Sequence, residues 1–294
     1  METLVKKNIR DFTPYMQVRE FHTVFGHPIK EIIQSDIFDT NKKLVDFRIS
    51  LIDEEIKEFL TDGLNKKNLV EAIDALADIL YVVFGACLVF GINYDDMFSE
   101  TLDEISDVDE NVDSESKQFN LVCNAGKFDY SVYKSSECKN NSDKYKNITN
   151  IDGLRNVLFE EMCDRGASDE RVQSLLDSQT LLKEYCDDKN MNKVACALDL
   201  IVRSVYKISN ELSVNMYKVF CEVHRSNMTK VCNNEEDAQK TVEDYKKNDD
   251  RYDSPSYKLS PDGKYWVVYN ESTSKILKSI KFELPQLEQF INFC

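Results

Sequence analysis

The sequence predicts a mostly helical fold with a small β-hairpin near its C-terminus. Only 8 Gly and 5 Pro occur in 294 residues, and long stretches carry apolar residues three or four positions apart, the spacing of one helix face. Near the C-terminus, apolar and polar residues alternate on both sides of Pro261-Asp262-Gly263. That pattern predicts two antiparallel strands joined by a turn. The predicted fold class is therefore all-α with one small β element.

Three helices are predicted in the first part of the chain. The first covers about 42–60 and should end near Gly63, because glycine suits the left-handed position that follows a helix. The second covers about 68–90 and should end at Gly91. Polar residues at 93–96 then predict a third helix over about 95–105.

The rest of the chain divides by composition. Residues 107–150 are rich in Ser, Asn, Asp and Lys, which predicts an insertion or linker, with an apolar island at 119–133 that could form a hairpin. Helical spacing resumes at about 151 and continues to 232. We therefore expect a catalytic half at 1–106, the polar insertion, a second helical half at 151–235, and a hairpin extension at 236–294.

Composition and charge exclude several classes of function. A formal net charge of −16 argues against a nucleic-acid or membrane-surface binder, which needs a basic face. Nine cysteines are present without a CxxC pair, so a zinc ribbon is not expected. The first residues contain no continuous apolar run, which argues against a secretory signal. These features together predict a cytoplasmic protein with reduced thiols.

An internal repeat relates the two helical halves. The segment ALADILYVVFGACLVFGINYDDMF, from Ala75, resembles ALDLIVRSVYKISNELSVNMYKVF, from Ala197. SLIDEEIKEF, from Ser50, similarly resembles SLLDSQTLLKEY, from Ser174. This alignment replaces Glu54, Glu55 and Asp78 of the first copy with Ser178, Gln179 and Leu200. The second copy is therefore predicted to be a degenerate partner that holds no metal of its own.

The first copy contains a group of acidic side chains at helical spacing. On the first helix Glu55 and Glu58 share one face, with Glu54 beside it, and the second helix carries Glu71, Asp74 and Asp78 on one face. Two helices joined by a short loop pack antiparallel, so the two faces should meet. Asp78 interrupts an apolar run, and a buried carboxylate needs a cation or several donors. Carboxylates without nearby His or Cys favour Mg²⁺, with Mn²⁺ possible.

These residues resemble the motif of the all-α nucleoside triphosphate pyrophosphohydrolases. That superfamily includes MazG, the dimeric dUTPases, the dCTP pyrophosphatases and phosphoribosyl-ATP pyrophosphohydrolase. Glu54-Glu55-x-x-Glu58 matches the first half of its EExxE…ExxD pattern. For the second half, Glu71-x-x-Asp74 has the spacing, whereas the context of residues 77–81 favours Asp78 as the ligand. In that register Ala75 stands where the family has Glu, and Asp74 could supply the missing carboxylate.

Other segments are similar to the MazG-like branch of this superfamily. They are VREFHTVFGHP at 18–28, HRSNMTK at 224–230, and the segments at 262–264 and 274–278. The resemblance implies a core of the four-helix-bundle type, here a tandem-duplicated pseudo-dimer or a homodimer. HRSNMTK occurs only after the second copy, which predicts a composite site. The acids would come from copy one, and the substrate-binding side chains would be His22, His224, Asn227, Lys230, Lys275 and Lys278.

The activity that the resemblance implies is Mg²⁺-dependent hydrolysis of a nucleoside triphosphate between its α and β phosphates. Glu54 would orient or deprotonate the attacking water, and the substrate would be dUTP or another surplus deoxynucleotide. Two alternatives stay open. One is phosphoribosyl-ATP hydrolysis, and the other is a non-catalytic helical protein that binds nucleotides or scaffolds a partner.

Overall fold

The structure is a computed structural model that describes residues 13–98 and 151–291. In the first range, a short segment leads into the helices α1 to α5, which are Pro14–Phe25, Ile37–Thr40, Lys42–Glu58, Leu69–Phe90 and Tyr94–Met97. Of the predicted helix over 95–105, only this last turn lies within the described residues. The predicted hairpin at 119–133 lies outside them.

The second range is also helical before it ends in a hairpin. Helices α6 to α10 are Ile151–Arg165, Glu170–Asp187, Met191–Glu211, Met216–Met228 and Glu235–Asn248. Strands β1 (Pro255–Leu259) and β2 (Trp266–Asn270) pair antiparallel, with Tyr257 opposite Val268. The predicted fold class, all-α with a small C-terminal β-hairpin, is confirmed.

Helix α4 forms the centre of the protein. It contacts α1, α3, α8 and α9, and its side chains are buried on almost every side. By length and composition this helix could cross a membrane, but 83% of its most apolar window is buried within the protein. That burial is typical of the core helix of a soluble fold. One apolar core includes side chains from both halves of the chain.

The connection between α3 and α4 differs from the prediction. Helix α3 continues directly into a π-helical segment, Phe59–Asn65. Gly63 lies inside this segment and does not adopt the left-handed conformation expected of it, which Lys67 adopts instead (φ 53°). Gly63 is needed for another reason, because a Cβ atom there would lie 2.8 Å from the Cα of Ala72. The prediction for Gly91 is correct, since it ends α4 with φ 75°.

Backbone features of the two halves recur at a constant spacing. Lys67 and Lys189, 122 residues apart, both have φ 53° at the turn before the long helix. At the same spacing, Asn68 and Asn190 cap the N-termini of α4 and α8 with their side chains. The hydrogen bonds that end the two helices also correspond, Ile92 N to Cys87 O and Val214 N to Ser209 O. These features support the tandem repeat.

The first helices of the two halves correspond at a spacing of 123 residues instead. Buried Ile52 then matches buried Leu175, and buried Phe59 matches buried Leu182. The first half thus contains one additional residue between its two helices, where the π-helical segment lies. In this register Glu55 corresponds to Ser178, which revises the sequence alignment by one position.

Two features of the C-terminal part were not predicted correctly. Helix α10 lies in the segment expected to hold only a hairpin, although Asn234 caps it, three acidic residues open it and two lysines close it. The stretch at 272–285, whose alternation also predicted β structure, is not a strand, since Ile276 forms only an isolated bridge with Tyr269. The hairpin packs on both α10 and α1, which carries the segment after β2 back toward the first half.

Candidate active site

Four carboxylates meet where α3 lies antiparallel to α4. Among the charges that raise the pKa of Glu55, that of Asp78 is the largest, and among those that raise the pKa of Asp78, that of Asp74 is the largest; the charge of Glu58 raises both. Burial first, and repulsion by the neighbouring carboxylates second, raise the pKa of Glu55 to about 8, of Asp78 to about 7 and of Asp74 to about 6. The pKa of Glu58 is raised for the same reasons. The cluster therefore concentrates negative charge around Glu55, Asp74 and Asp78, which are half-buried, whereas Glu58 is exposed.

Glu54 and Glu71 lie at the edge of this cluster. Both side chains are exposed. The charge of Glu54 raises the pKa of Glu55 and of Glu58, and the charge of Glu71 raises the pKa of Asp74 and of Glu58. Both are therefore close to the four inner carboxylates, yet they remain in contact with water.

Three lysines from the C-terminal part of the chain surround the carboxylates. Lys230 follows α9, and Lys275 and Lys278 follow β2. Burial lowers the pKa of Lys230, while the charges of Asp78 and Glu55 raise it. The charge of Lys278 lowers the pKa of both Asp74 and Asp78, and the charge of Lys275 lowers the pKa of Glu58. Acids from the first half and cations from the C-terminal part thus meet in one place.

His224 and Asn227, on α9, contact the same region through Tyr81. The hydroxyl of Tyr81 lies 3.1 Å from His224 Nδ1, and it also hydrogen-bonds the side chain of Asn227. Asn227 Oδ1 accepts a 2.6 Å bond from Lys230 Nζ. His224 Nε2 lies 3.3 Å from a Glu20 carboxylate oxygen. These contacts fix Lys230 and place α9 against the face of α4 that carries Asp78.

His22 lies on α1, next to Arg48 of α3 and Gly85 of α4. Its Nδ1 donates a 2.9 Å bond to the Pro28 carbonyl. Burial and the nearby Arg48 guanidinium lower the pKa of His22 to about 3, so the ring is neutral. A Cβ atom on Gly85 would lie 3.2 Å from both His22 Nε2 and an Arg48 amino nitrogen. His22 is thus beside Arg48 and away from the carboxylates.

The carboxylate cluster fits a hard divalent cation. Its donors are all carboxylate oxygens, the ligands that Mg²⁺ and Mn²⁺ prefer. Within 13–98 and 151–291, no group of three or more His, Cys, Asp or Glu side chains has the arrangement that would hold a metal ion. Neighbouring carboxylates nevertheless raise the pKa of Glu55, Asp74 and Asp78, and a cation between them would relieve that repulsion. Glu55, Glu58, Asp74 and Asp78 are therefore the residues that could hold one.

Comparison with known proteins identifies a related family and a related protein. Residues 18–104 match the family model described as phosphoribosyl-ATP pyrophosphohydrolase, a family of the all-α MazG-like superfamily. The matched segment contains residues 18–25 of α1, all six predicted acids and Arg48. The whole chain is similar to uncharacterized protein L479 of Acanthamoeba polyphaga mimivirus, with 33% identity over 286 residues, 97% of this chain and 98% of that protein. The chain belongs to the same family as L479. No solved structure matches it.

The family match supports a general activity, hydrolysis of a pyrophosphate bond in a nucleotide. The similarity to L479 extends beyond the matched segment, through the second repeat and the C-terminal lysines.

Sequence patterns alone did not indicate two of the side chains at the site. Tyr81 is hidden in the apolar run of α4. Arg48 is one of many basic residues, although it lies seven positions before Glu55 and hence on the same helix face.

Proposed function

We propose that this protein is a cytoplasmic Mg²⁺-dependent nucleoside triphosphate pyrophosphohydrolase, which converts a deoxynucleotide triphosphate to its monophosphate and pyrophosphate. The observation that carries the proposal is the meeting of four carboxylates on α3 and α4 with three lysines from the C-terminal part of the chain. Carboxylates can bind a triphosphate only through cations, and lysines bind its oxygens directly.

The carboxylates have two roles in this proposal. Glu55, Glu58, Asp74 and Asp78 hold the magnesium, with Glu71 at the edge of the set. The bound ion supplies neutralisation of the triphosphate charge and polarisation of the phosphorus that is attacked. Glu54 is exposed beside Glu55, where it can accept a proton from the attacking water.

The side chains of the second half position the substrate. Lys230, Lys275 and Lys278 contact the phosphate oxygens and stabilise the charge of the leaving pyrophosphate. Asn227 accepts a hydrogen bond from the Lys230 ammonium and so fixes its position. The contact between His224 and the Tyr81 hydroxyl fixes Tyr81 next to the acidic face of α4. Clearing dUTP or another surplus deoxynucleotide is the purpose that fits such an activity.

A second candidate is phosphoribosyl-ATP hydrolysis, which the description of the matching family model favours. The same bond type would be broken by the same groups, so only the substrate differs. A non-catalytic nucleotide-binding or scaffolding protein is the third, because Ala75 replaces a family glutamate.

Release of pyrophosphate from a panel of NTPs, dNTPs and phosphoribosyl-ATP, with Mg²⁺, Mn²⁺ or EDTA, separates these candidates. We expect turnover of one or two deoxynucleotides that requires the metal and falls at least about 100-fold in Glu55→Gln and Asp78→Asn. Preference for phosphoribosyl-ATP would establish the second candidate. Nucleotide binding without turnover under any condition would establish the third.

A further inference from the structure

Arg48 is a buried cation without a partner. Its side chain is 6% exposed, and within the described residues no carboxylate or hydrogen-bond acceptor pairs with its guanidinium. Its Nε is fully buried and unsatisfied, and burial lowers its pKa to about 10. An uncompensated buried charge lowers the stability of the folded protein, because no hydrogen bond or opposite charge replaces the water that it has lost. A ligand that supplies the missing acceptor would remove that cost.

The second half of the chain contains a matched comparison. Arg171 occupies the position of Arg48, 123 residues later, and it is also buried. Its guanidinium, however, donates to both oxygens of Asp169 and to Glu211. In the second half, which lacks the acidic cluster, the arginine finds hydrogen-bond acceptors within the protein. In the first half, which has the acidic cluster, the described residues offer the arginine none.

The groups around Arg48 define a small recognition site. His22 donates its Nδ1 proton to Pro28 O, so its Nε2 is an acceptor. This Nε2 and an amino nitrogen of Arg48 both face Gly85. The Arg48 guanidinium thus offers hydrogen-bond donors next to one hydrogen-bond acceptor, His22 Nε2. Phe21 and His27, both partly exposed, stack at 5.7 Å next to them.

The distance from this recognition site to the carboxylates is about the length of a nucleoside. Arg48 precedes Glu55 by seven residues on α3, and Gly85 follows Asp78 by seven residues on α4. Seven residues are two helical turns, about 10 Å at 1.5 Å per residue. Tyr81 and Phe21, in edge-to-face contact at 5.4 Å, lie between the two places. A nucleotide with its phosphates at Asp78 would place its base at Arg48.

We infer that Arg48, His22 and Gly85 form the nucleobase site, and that it selects bases with a carbonyl oxygen next to a ring N–H: uracil, thymine or guanine. This inference rests on the proposed function. The carbonyl oxygen accepts from Arg48, and the ring N–H donates to His22 Nε2. Cytosine and adenine have an unprotonated ring nitrogen at the corresponding position, which cannot donate to His22 Nε2. Phe21 and His27 offer the base an aromatic face.

Binding of nucleoside monophosphates to the full-length protein tests the inference without relying on turnover. Calorimetry with dUMP, dTMP, dGMP, dCMP and dAMP in Mg²⁺ should give tighter binding of the first three. In Arg48→Met this preference should fall roughly 10- to 100-fold, the value of a hydrogen bond to a charged group. Equal affinities in the wild type, or a preference that Arg48→Met leaves intact, would overturn the inference.

Stability measurements show whether the variants remain folded. Arg48→Met removes an unpaired buried charge, so its Tm should equal or exceed that of the wild type. Arg171→Met leaves Asp169 buried without its partner, so its Tm should fall. Gly85→Ala favours the helix but puts a methyl group 3.2 Å from Arg48 and His22. It should weaken the base preference in a protein that is still folded.

Two failures can be told apart. If the base preference follows Arg48 but no nucleotide is hydrolysed, the proposed catalysis is wrong and the base site stands. If triphosphates are hydrolysed regardless of base, and Arg48→Met changes neither binding nor selectivity, the catalysis stands and the base site is wrong.

Discussion

Asp78 illustrates how a functional side chain can lower the stability of the protein that carries it. Its carboxyl lies among apolar neighbours on α4, and its closest charged neighbours include Asp74 and Glu58. Both burial and repulsion favour the protonated form, so the pKa rises to about 7. Because the folded state binds this proton more tightly than the unfolded state does, the contribution of Asp78 to stability decreases as pH rises from about 4 through about 7.

Replacing Asp78 with Asn should therefore stabilise the metal-free protein above neutral pH. Asparagine keeps the shape and cannot ionise. In EDTA at pH 8, we expect the Tm of Asp78→Asn to exceed that of the wild type by about 3 °C or more, and the difference to shrink toward pH 5. Thermal unfolding followed by circular dichroism measures this. Asp244→Asn, on an exposed face of α10, serves as the control and should show no such trend.

A difference that does not change with pH would contradict this explanation, because it would mean that Asp78 is not protonated in the folded protein. Magnesium adds a second check. It competes with protons for the same oxygens, so it should raise the Tm of the wild type more at pH 8 than at pH 6, and that of Asp78→Asn less at both.

At the scale of elements, the α3–α4 pair depends on the close approach at Gly63. The π-helical segment brings this residue so near to α4 that a Cβ atom would meet the backbone of Ala72. Backbone cannot move aside as a flexible side chain can, so Gly63→Ala should cost about 1–3 kcal/mol. Because the two helices carry the carboxylates, kcat should fall as well.

Urea denaturation and pyrophosphate release measure the two effects of Gly63→Ala. The control is Gly263→Ala, in the hairpin turn, where φ is 72° and nothing lies within 4 Å of a new methyl group. The free energy of unfolding of that variant should fall only by the cost of a left-handed backbone at a non-glycine residue, on the order of 1 kcal/mol. Loss of activity in the control but not in Gly63→Ala would show that the helix contact does not position the site.

The elements themselves were largely predictable from local patterns. The long α4 carries continuous apolar spacing, and both its predicted start near residue 68 and its predicted end at Gly91 are correct. The π-helical segment was not predictable, since a single additional residue leaves no distinctive pattern. Helix α10 was missed because its few apolar residues are outnumbered by charges. The stretch at 272–285 alternates like a strand, but within the described residues it pairs with another strand only at one isolated bridge.

The site was predictable in part, because its acids are close in sequence. Two antiparallel helices bring Glu55 and Asp78 together from spacing alone. The unpaired state of Arg48 could not be predicted, because whether a charge finds a partner depends on contacts across the whole fold. The arrival of the C-terminal lysines was expected only through the resemblance to a known family.

At the scale of the whole molecule, we propose that the two helical halves and the C-terminal extension share one site. Their interface is continuous: Gln179 of α7 donates a 2.6 Å bond to Asp53 of α3, and the Tyr94 hydroxyl donates a 2.8 Å bond to Asp199 of α8. The region matching the family model ends at residue 104. If the site is composite, residues far beyond that point must be required for activity.

Lys230→Met tests this requirement. The lysine is held by Asn227 and faces Asp78 and Glu55, so its loss should lower kcat/KM by roughly 100-fold, equivalent to about 3 kcal/mol. The exposed Lys246, in the last turn of α10, provides the control variant Lys246→Met, which should retain full activity. Equal activity of the two variants would show that the first half alone forms the site.

A composite site within one chain also predicts that activity does not depend on association. Within the described residues, both the carboxylates and the lysines around them belong to a single chain, and helices α8 and α9 of the second half pack against α4. Specific activity should then stay constant as the protein is diluted from micromolar to low nanomolar concentration, and sedimentation should give one species near the chain mass of 34.1 kDa. In a homodimer whose site needs both chains, dilution below the dissociation constant would instead reduce specific activity in proportion to the dimer that remains.

A stable dimer that keeps its activity on dilution and loses it when Lys230→Met chains are mixed with Asp78→Asn chains would place each site within one chain. Recovery of activity in that mixture would place the lysine and the carboxylate of a working site on different chains.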